Sequence, residues 1–300
     1  MNIWYVHHYG GGPGVGLYDR PFQLARAWQR QGHTATVFIA RFHHLLEREI
    51  SPEPEFDLDG VRYVSLPARR YAQNGMSRML NILDFTRCLY SAGGRYGREV
   101  QRPDAIIVSS PHPFAIFPAR RLARRYEAKL VFEIRDIWPL SITEILGTSR
   151  LHPFVQMCAF TEHFALKNAD LVTSVLPRAD RYLADRGYAE KPFSWVPNGI
   201  DPRAEFDTSG FVTDAATKAA ERARKWRSEG LVTVIYTGSI GKPNALDLLL
   251  RAVAHGSSSG SRQRCGVLVV GKGDQVEELT RMVEENRLSD VHFAGAVPKS

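Results

Sequence analysis

Short runs of this sequence are apolar from end to end instead of at every second residue. The clearest are "AIIVSS" at 105–110 and "LVFEI" at 130–134. This pattern is typical of strands in a parallel sheet that is covered on both faces. Parallel strands need a long crossover connection, which is usually a helix. The runs therefore predict an α/β fold.

Strand-like and helix-like segments alternate over the first two thirds of the chain. The predicted strands are Asn2–His7, Thr34–Ala40, Val61–Leu66, Asp104–Ser109, Leu130–Ile134, Leu171–Val175 and Phe193–Val196. The predicted helices are Leu17–Gln31, Met79–Val100, Phe114–Tyr126, Pro153–Asn168 and Pro177–Arg186. Right-handed βαβ units connected in this way build a doubly wound sheet.

The same alternation restarts near residue 231. The strand-like runs "LVTVIYTG", "GVLVVGKG" and "VHFAG" alternate with the helix-like runs "NALDLLLRAVAH" and "DQVEELTRMVEENRL". The sequence thus predicts two Rossmann-like, doubly wound parallel-sheet domains, at 1–190 and 191–300. Such domains normally have five or six strands, and three are predicted in the second, so we expect it to be truncated.

The net charge of +7 is concentrated in one quarter of the sequence. The segment from Gly60 to Arg135 contains 14 Lys and Arg against 5 Asp and Glu, a local charge of +9. A field of this sign favours anionic partners such as phosphates, nucleic acid or an anionic membrane surface. The alternative is a solvated basic face.

The apolar runs, the N-terminal residues and the cysteines argue against several classes of protein. No apolar run approaches the ~20 residues that span a bilayer, and the N-terminus lacks the pattern of a secretory signal. The three cysteines, Cys88, Cys158 and Cys265, include no CxxC pair. This argues against a disulfide framework or a thiolate zinc site. We expect a cytoplasmic protein.

Five glycines lie within the seven residues 10–16, between the first predicted strand and the first predicted helix. The spacing fits neither the GxGxxG dinucleotide fingerprint nor the P-loop, which needs Gly-Lys-Ser/Thr. Backbone N–H groups in such a loop can still approach an anion closely, ahead of a helix N-terminus. We predict anion or sugar contact at Gly11, Gly12 and Gly14. The alternative is a flexible turn.

Polar side chains follow two neighbouring predicted strands. Arg135 and Asp136 come directly after "VFEI", and Ser110 and His112 follow "AIIVS". Parallel sheets bind their ligands at the carboxyl ends of the strands. A histidine there can donate to a sugar hydroxyl or take a proton. The alternatives are a buried Arg–Asp ion pair and an ordinary loop histidine.

The second predicted domain carries two small-residue turns after its strands. "TGSIGKP" contributes Gly238, Ser239 and Lys242, and "VVGKGD" contributes Gly271. Small residues let a diphosphate approach the backbone, and a lysine supplies a point charge. The pair of turns predicts a nucleotide-binding half.

Metal binding is not predicted. The "FDLDG" segment at 56–60 offers two aspartates, but it reads as a turn before a strand. The pairs His7-His8 and His43-His44 are adjacent residues, and adjacent strand residues point to opposite faces of a sheet. One such pair therefore does not readily ligate one ion.

Seven stretches taken together resemble the retaining GT-B glycosyltransferases of family 4. They are "GGGPGVG", "DGVRYVSLP", "FEIRDIWP", "VPNGID", "YTGSIGKPNALDLLL", "VLVVGKGD" and "VHFAGAVPKS". "FEIRDIWP" is most similar to the subgroup that builds bacterial surface polysaccharides and includes amino-sugar transferases. The resemblance runs over nearly the whole chain.

The resemblance implies a hexosyltransferase that moves a sugar from a nucleoside diphosphate sugar to an acceptor hydroxyl with retention. The N-terminal domain would bind a saccharide or lipid-linked acceptor, and the C-terminal domain the donor. The implied catalytic residues are Asp136, His112 and Lys242. The implied substrate-binding residues are Gly11, Gly12, Gly14, Ser110, Arg135, Asn198, Gly238, Ser239, Gly271 and Val297, the last within the Gly295–Pro298 segment beside the base. No metal or other cofactor is implied.

The sequence departs from the family pattern after "VHFAGAVPKS". The family continues with a Glu-x7-Glu segment and further βαβ units that this sequence lacks. Either the sequence is a fragment, or the remainder is on another chain, or the reaction has been lost; the break in mid-domain favours a fragment. A sugar-nucleotide epimerase of similar fold and a non-catalytic subunit remain as alternatives.

Four arginines of the third predicted helix are spaced for contact with an anionic surface. Arg120 with Arg124, and Arg121 with Arg125, are i,i+4 pairs of like charge, which repel each other on a helix. Contact with an anionic membrane would relieve this repulsion. We therefore expect docking on the inner face of the plasma membrane, and no nucleic-acid partner.

Overall fold

The computed structural model describes residues 1–50, 53–72, 75–95, 102–110, 112–145, 147–199, 213–258 and 265–297. Contacts between residues divide the chain into an N-terminal unit, Met1–Asp201, and a C-terminal unit, Pro202–Ser300. Both units are α/β, as predicted, and each contains one sheet.

The N-terminal unit is built on an eight-stranded sheet. Its strands are β1 Asn2–Val6, β2 Thr34–Ala40, β3 Glu55–Leu58, β4 Val61–Leu66, β5 Ala105–Ser109, β6 Lys129–Ile134, β7 Leu171–Ser174 and β8 Phe193–Trp195. The spatial order is β3-β4-β2-β1-β5-β6-β7-β8, with β3 antiparallel to β4 and the other neighbours parallel. Seven of these strands were predicted.

Strand β3 was missed because its four residues are only partly buried and lack the apolar run that marks the other strands; it forms a hairpin with β4. The Asp57 side chain accepts a hydrogen bond from the Gly60 N–H at 2.8 Å. Asp59 and Gly60 have positive φ angles of 48° and 83°. The "FDLDG" segment therefore ends in a tight turn at Asp59 and Gly60, as the sequence indicated, while its first three residues belong to β3.

Five α-helices connect the strands of this unit. They are α1 Arg20–Arg30, α2 Met76–Arg95, α3 Ile116–Tyr126, α4 Pro153–Asn168 and α5 Ala179–Asp185. Two short turns were not predicted, a 3₁₀ turn at Pro113–Ala115 and a π-helical turn at Ser141–Ile145. The predicted extension of the second helix to Val100 lies outside the described residues. No helix in the described ranges is long and apolar enough to cross a membrane.

The apolar runs form the centre of the unit. Trp4, Phe38, Ile106 and Phe132, from four adjacent strands, are at most 2% exposed and belong to one cluster. Phe85 of α2 covers the same cluster. Full burial of a side chain of this size contributes roughly 1.5–3 kcal/mol, so the cluster fixes these strands at the centre of the sheet.

The C-terminal unit has a three-stranded parallel sheet of order β11-β10-β9. Its elements are α6 Asp214–Ser228, β9 Val232–Thr237, α7 Leu246–Ser258, β10 Cys265–Val270, α8 Val276–Glu285 and β11 Val291–Gly295. Helix α6 was not predicted, because its sequence is highly charged. It packs through Trp226, which is 2% exposed. A Cβ on Gly266 would lie 2.3 Å from the Trp226 ring, so this packing requires glycine there.

The division between the units falls after Asp201, later than the boundary predicted after residue 190. The reason is β8, which pairs with β7 through Thr173 and Ser194 and completes the large sheet.

Glu162 of α4 is a buried carboxyl, 4% exposed. Its Oε2 accepts a hydrogen bond from the Tyr182 hydroxyl of α5 at 2.7 Å, and Arg186 Nη1 lies 3.9 Å away. Burial raises the pKa of Glu162 to about 7, although Tyr182 and Arg186 act in the opposite direction. The folded protein therefore keeps a proton on Glu162 at pH values where an exposed glutamate has lost it.

We predict that the free energy of unfolding falls as the pH rises from the ordinary glutamate pKa of 4.5 to about 7. Over that range the folded protein holds one more proton than the unfolded chain, so the total loss is roughly 3 kcal/mol. Denaturant titrations at several pH values measure it. Glu162→Gln should flatten the dependence of the unfolding free energy on pH, and the exposed control Glu190→Gln should not. A wild-type curve that does not fall in this range contradicts the prediction.

Candidate functional site

The carboxyl ends of the central strands of the N-terminal sheet lie side by side. The strand order β2-β1-β5-β6 brings together the residues that follow each of these strands. His7 and His8 follow β1, Ser110 and His112 follow β5, and Arg135 follows β6. The prediction that polar residues after "AIIVS" and "VFEI" occupy one edge of the sheet agrees with this arrangement.

The glycine loop uses much of its own hydrogen-bonding capacity. The Gly11 N–H donates to the Tyr18 carbonyl at 2.8 Å, and the Gly12 N–H donates to the Gly16 carbonyl at 3.3 Å. The Val15 and Gly16 N–H groups donate to the Gly12 carbonyl at 2.9 and 3.1 Å. The predicted anion contact through the Gly11 and Gly12 N–H groups would therefore require these bonds to open.

Close packing explains the glycines of this loop. A Cβ on Gly11 would lie 2.7 Å from the Gly16 carbonyl oxygen, and one on Gly12 would lie 2.7 Å from Leu58. Gly14 differs, because it is exposed, has a φ of 63° and faces open space. Gly14 is thus the predicted loop residue that a ligand reaches without repacking.

The loop is fixed against the segment that follows β2. The Leu17 N–H donates to the Leu45 carbonyl at 2.9 Å, and the Glu47 N–H donates to the Val15 carbonyl at 3.0 Å. These bonds explain why α1 begins at Arg20 and not at Leu17, where the sequence predicted it. The residues before Arg20 pair with another segment instead of entering the helix.

Glu133 of β6 is the most heavily bonded carboxylate at this edge. It is 2% exposed, and Oε2 accepts from the Tyr5 hydroxyl at 2.5 Å and the Ser109 hydroxyl at 2.7 Å. Oε1 accepts from Arg20 Nη2 at 2.8 Å and from Arg20 Nε at 3.1 Å. Sequence reasoning missed Glu133 and Arg20; the available signal was a single glutamate inside an otherwise apolar strand.

Arg20 also ties the segment after β8 to this edge. Its Nη2 donates to the Val196 carbonyl at 2.9 Å, and its Nη1 donates to the Pro197 carbonyl at 2.8 Å. The Asn198 side-chain oxygen lies 3.4 Å from Arg20 Nη1. Asn198, predicted from "VPNGID", is thus held at the carboxyl edge while its own side chain remains exposed.

Among the described residues, Arg135 has no carboxylate partner comparable with that of Arg20. Its guanidinium lies over the Tyr18 ring, 4.4 Å from the ring centre, and Tyr18 in turn stacks on His7 at 4.5 Å. Arg135 Nη1 is buried and has no hydrogen-bond partner within the described ranges, and burial lowers the pKa of this guanidinium. The Arg135 N–H donates to the Ser110 hydroxyl at 3.3 Å. An unpaired guanidinium in this position is suited to bind an anion.

Asp136 does not form the buried ion pair that was the alternative for this segment. Its side chain is exposed. Desolvation by the surrounding protein nevertheless raises the pKa of the carboxyl, and the Arg135 cation opposes that rise. An exposed carboxylate with a raised pKa is suited to accept a proton from a substrate hydroxyl.

His112 is buried, with 1% exposure, and neither ring nitrogen has a hydrogen-bond partner in the part of the chain that the structure describes. Burial, assisted by the Arg78 cation, lowers the pKa of His112 to about 3. The imidazole is therefore neutral at pH 7 and a weak base. Of the two roles predicted for it, hydrogen bonding to a hydroxyl suits this state better than proton abstraction.

His112 belongs to a cluster of histidines that the sequence did not predict. The His8 ring lies 4.7 Å from the His112 ring and 6.5 Å from the His43 ring. Burial lowers the pKa of His43 to about 3 and that of His8 well below its ordinary value. His8 from the first sequence pair and His43 from the second therefore join the cluster. The sequence signal for this was that the two pairs follow β1 and β2, which are adjacent in the sheet. Among the described residues, no group of three or more His, Cys, Asp or Glu is arranged to hold a metal ion.

The C-terminal unit has its own carboxyl edge. The Gly238 N–H donates to the Val270 carbonyl at 3.0 Å, and the Gly271 N–H donates to the Gly295 carbonyl at 2.9 Å. A Cβ on Gly271 would lie 1.8 Å from the Gly238 carbonyl oxygen. Only glycine allows the two strand ends to approach this closely. Gly238 and Gly271 therefore leave the backbone bare at this edge, that is, without a side chain of their own to cover it.

The other predicted residues of this unit lie beside that bare backbone. Ser239 and Lys242 are exposed, and Lys242 begins a short 3₁₀ turn, Lys242–Asn244, ahead of α7. Val297 is half-buried after β11. Pro298, the end of the predicted base-contacting segment, lies outside the described residues.

Removal of the Glu133 carboxylate should destabilise the N-terminal unit. Glu133→Gln leaves the buried Arg20 cation unpaired, and a broken buried ion pair typically costs about 3–5 kcal/mol. Chemical denaturation followed by circular dichroism measures the change. Glu127→Gln is the matched control, because its ion pair with Arg102 is exposed. Equal effects of the two substitutions would show that the Glu133 network is not the stabilising feature.

Comparison with known proteins gives one family and several solved structures. A family model described as a glycosyl transferase 4-like domain matches residues 16–199, more than half of the chain. A search of curated proteins gave no match.

The solved structures are similar over the whole chain. HepE from Anabaena, in complex with UDP and glucose, has a TM-score of 0.60 and 14% identity, covering 99% of this chain and 70% of that one. WaaG, a glycosyltransferase involved in lipopolysaccharide biosynthesis, has a TM-score of 0.59 and 15% identity with the same coverage. The catalytic domain of starch synthase IV from Arabidopsis thaliana, bound to ADP and acarbose, has a TM-score of 0.59 and 13% identity, covering 100% of this chain and 74% of that one. These similarities confirm the predicted GT-B fold class.

Proposed function

The chain belongs to the glycosyl transferase 4-like family, and from this premise we propose that it transfers a hexosyl group with retention at the anomeric carbon. The donor is a nucleoside diphosphate sugar, and the acceptor is a hydroxyl of a saccharide or of a lipid-linked saccharide. HepE has been solved with UDP-glucose and starch synthase IV with ADP, which supports a nucleoside diphosphate donor.

The observation that carries the proposal is the bare carboxyl edge of the C-terminal sheet. Gly238 and Gly271 leave the backbone uncovered there, and Lys242 is an exposed cation that follows β9. The leaving diphosphate gains negative charge in the transition state. A fixed ammonium group stabilises that charge, so we assign the diphosphate to Ser239 and Lys242 and propose that no metal is required.

The edge of the N-terminal sheet supplies groups for the sugar or acceptor. Arg135 is a cation whose Nη1 has no hydrogen-bond partner among the described residues, His112 is a neutral hydrogen-bonding group, and Asp136 is an exposed carboxylate. We assign proton acceptance from the acceptor hydroxyl to Asp136 and hydroxyl contact to His112 and Ser110. Gly14 is the loop residue that a ligand reaches without repacking.

We predict that Lys242→Ala lowers kcat by about 10²–10³, the usual loss for one contact that stabilises transition-state charge. Lys225→Ala, on exposed α6, is the control and should retain wild-type kcat. Turnover is measured as donor consumption and glycosylated product. Near-wild-type kcat in Lys242→Ala would reject the role of Lys242.

Incubation with the donor alone tests the reaction class. A glycosyltransferase should form no sugar epimer without an acceptor. An epimerised donor in that incubation would replace sugar transfer with sugar-nucleotide isomerisation as the function.

We further propose a role in cell-surface polysaccharide or glycolipid synthesis, with contact to a membrane through two exposed helices. Arg121, Arg124 and Arg125 of α3 are exposed, whereas Arg120 is half-buried and donates to Asn168 at 3.2 Å. Helix α2, which packs against α3, exposes its own apolar residues Met76, Leu83 and Tyr90. A cationic helix beside exposed apolar side chains suits peripheral contact with an anionic membrane.

We predict that the protein floats with vesicles containing anionic lipid and not with neutral vesicles. Simultaneous replacement of Arg121, Arg124 and Arg125 by Gln should weaken binding about a hundredfold, from about 1 kcal/mol per arginine near an anionic surface. Flotation that is equally poor with both lipids would dismiss membrane docking and leave the transferase assignment unaffected.

A further inference from the structure

Buried side-chain atoms that lack a hydrogen-bond partner are concentrated at one place in the N-terminal unit. Among the described residues nine such atoms occur, and all except Trp4 Nε1 belong to residues that follow β1, β2, β5 or β6 or lie just before α1. These residues are His7, His8, Tyr18, His43, His112 and Arg135. Native proteins pair most of their buried polar groups, so this concentration indicates that the edge contacts a polar group from outside the chain.

Three of these residues stack on one another, and we call them the Tyr18 stack. The His7 and Tyr18 rings lie 4.5 Å apart with 22° between their planes, and the Arg135 guanidinium lies 4.4 Å from the Tyr18 ring centre. His7 is 1% exposed, whereas Tyr18 and Arg135 are half-buried. The stack therefore runs from the buried sheet edge to the surface.

Ring faces hold the Tyr18 stack together and leave its polar atoms free. Both ring nitrogens of His7, the Tyr18 hydroxyl and Arg135 Nη1 have no hydrogen-bond partner within the described ranges. A cation over an aromatic face is held by the ring quadrupole, which uses none of the guanidinium N–H groups. A ligand can thus take these atoms without breaking any hydrogen bond that the structure describes for them.

The Tyr18 stack carries a single positive charge. His7 is neutral at pH 7 because burial lowers its pKa. The neighbouring carboxylate of Glu133 is already paired with Arg20 at 2.8 Å. Burial lowers the pKa of Arg135 in spite of the nearby Asp136 charge, as expected for a cation that is desolvated without a close counter-ion. One negative charge from a ligand would supply that counter-ion.

This charge favours a carboxylate over a phosphate. A phosphate group carries about −1.5 to −2 at pH 7, and one guanidinium next to the exposed Asp136 carboxylate would leave part of that charge unbalanced. A carboxylate carries one charge, and its planar shape matches the guanidinium. The neutral imidazole of His7 offers one donor and one acceptor, which suits a hydroxyl. A carboxylate and hydroxyls on one molecule are the groups of a sugar acid.

We propose that the Tyr18 stack binds a uronic acid, with Arg135 and the Tyr18 hydroxyl on its carboxylate and His7 on a neighbouring sugar hydroxyl. The inference rests on the proposed transferase function and names the class of sugar that the enzyme recognises, on the donor or on the acceptor. Tyr18 is then a specificity-determining residue. The sequence did not single it out, because an isolated tyrosine after a glycine loop carries no pattern.

The test uses the whole chain and two pairs of probes, each an acid with its neutral counterpart. UDP-glucuronic acid and UDP-glucose represent the donor, and methyl glucuronide and methyl glucoside represent the acceptor. Calorimetry should show that the acid binds about a hundredfold more tightly in one pair, from two hydrogen bonds to a charged group at about tenfold each. The pair that shows this preference identifies the substrate that carries the carboxylate.

Two substitutions should reduce the preference for the acid without changing the affinity of the neutral probe. Tyr18→Phe keeps the ring and removes the hydroxyl, and Arg135→Gln removes the charge; each should lower the preference to about tenfold or less. Arg181→Gln is the control, because Arg181 is exposed on α5, and it should retain the hundredfold preference. A merely structural role would weaken the acid and the neutral probe equally.

Several results overturn the proposal. They are no binding of either acid, equal affinity of acid and neutral probe in both pairs, and a preference that Tyr18→Phe and Arg135→Gln leave intact or that Arg181→Gln lowers equally. Inorganic phosphate binding that Arg135→Gln weakens, without any preference for an acid, would make the stack a phosphate site instead. If Arg135→Gln fails to fold by circular dichroism, Tyr18→Phe decides. Donor consumption by the wild type is measured separately, so a wrong sugar class is distinguishable from failure of the transferase function.

Discussion

The buried pair of Glu133 and Arg20 organises the carboxyl edge of the N-terminal sheet. One carboxylate accepts from Tyr5 of β1, Ser109 of β5 and Arg20 of α1, while Arg20 reaches the segment after β8. Burying two charges is costly unless their remaining hydrogen-bonding groups are satisfied. Here they are satisfied by groups from distant parts of the chain, so the network holds only when all these elements are in place.

Arg135 and Arg41 show the opposite arrangement at the same edge. Arg135 rests on the Tyr18 ring, and Arg41 is held by the Ser65 and Leu66 carbonyls. Neither contact cancels the positive charge, whereas Glu133 cancels that of Arg20. The same residue type thus has a structural role where a carboxylate is built into the sheet, and keeps its positive charge uncompensated by such a carboxylate where it is not.

The sequence predicted much of the fold because burial on both faces leaves a direct trace in apolar runs such as 105–110 and 130–134. It missed β3 and α6, whose half-exposed residues carry no such trace. The site residues after β5 and β6 could be predicted because they come directly after strands that the sequence itself reveals. The Glu133–Arg20 contact joins residues 113 positions apart, and spacing along a chain does not reveal which distant arginine meets a carboxylate.

The histidines set the character of this edge by contributing no charge. His7, His8, His43 and His112 are all buried, and burial lowers the pKa of each. They are neutral at physiological pH, so they neither attract an anion nor repel a cation. The positive potential at the carboxyl edge therefore comes from arginines, whose charge does not change in the neutral range. We propose that an anionic substrate is recognised there through these arginines, and that the neutral imidazoles contact hydroxyl groups, which both donate and accept hydrogen bonds.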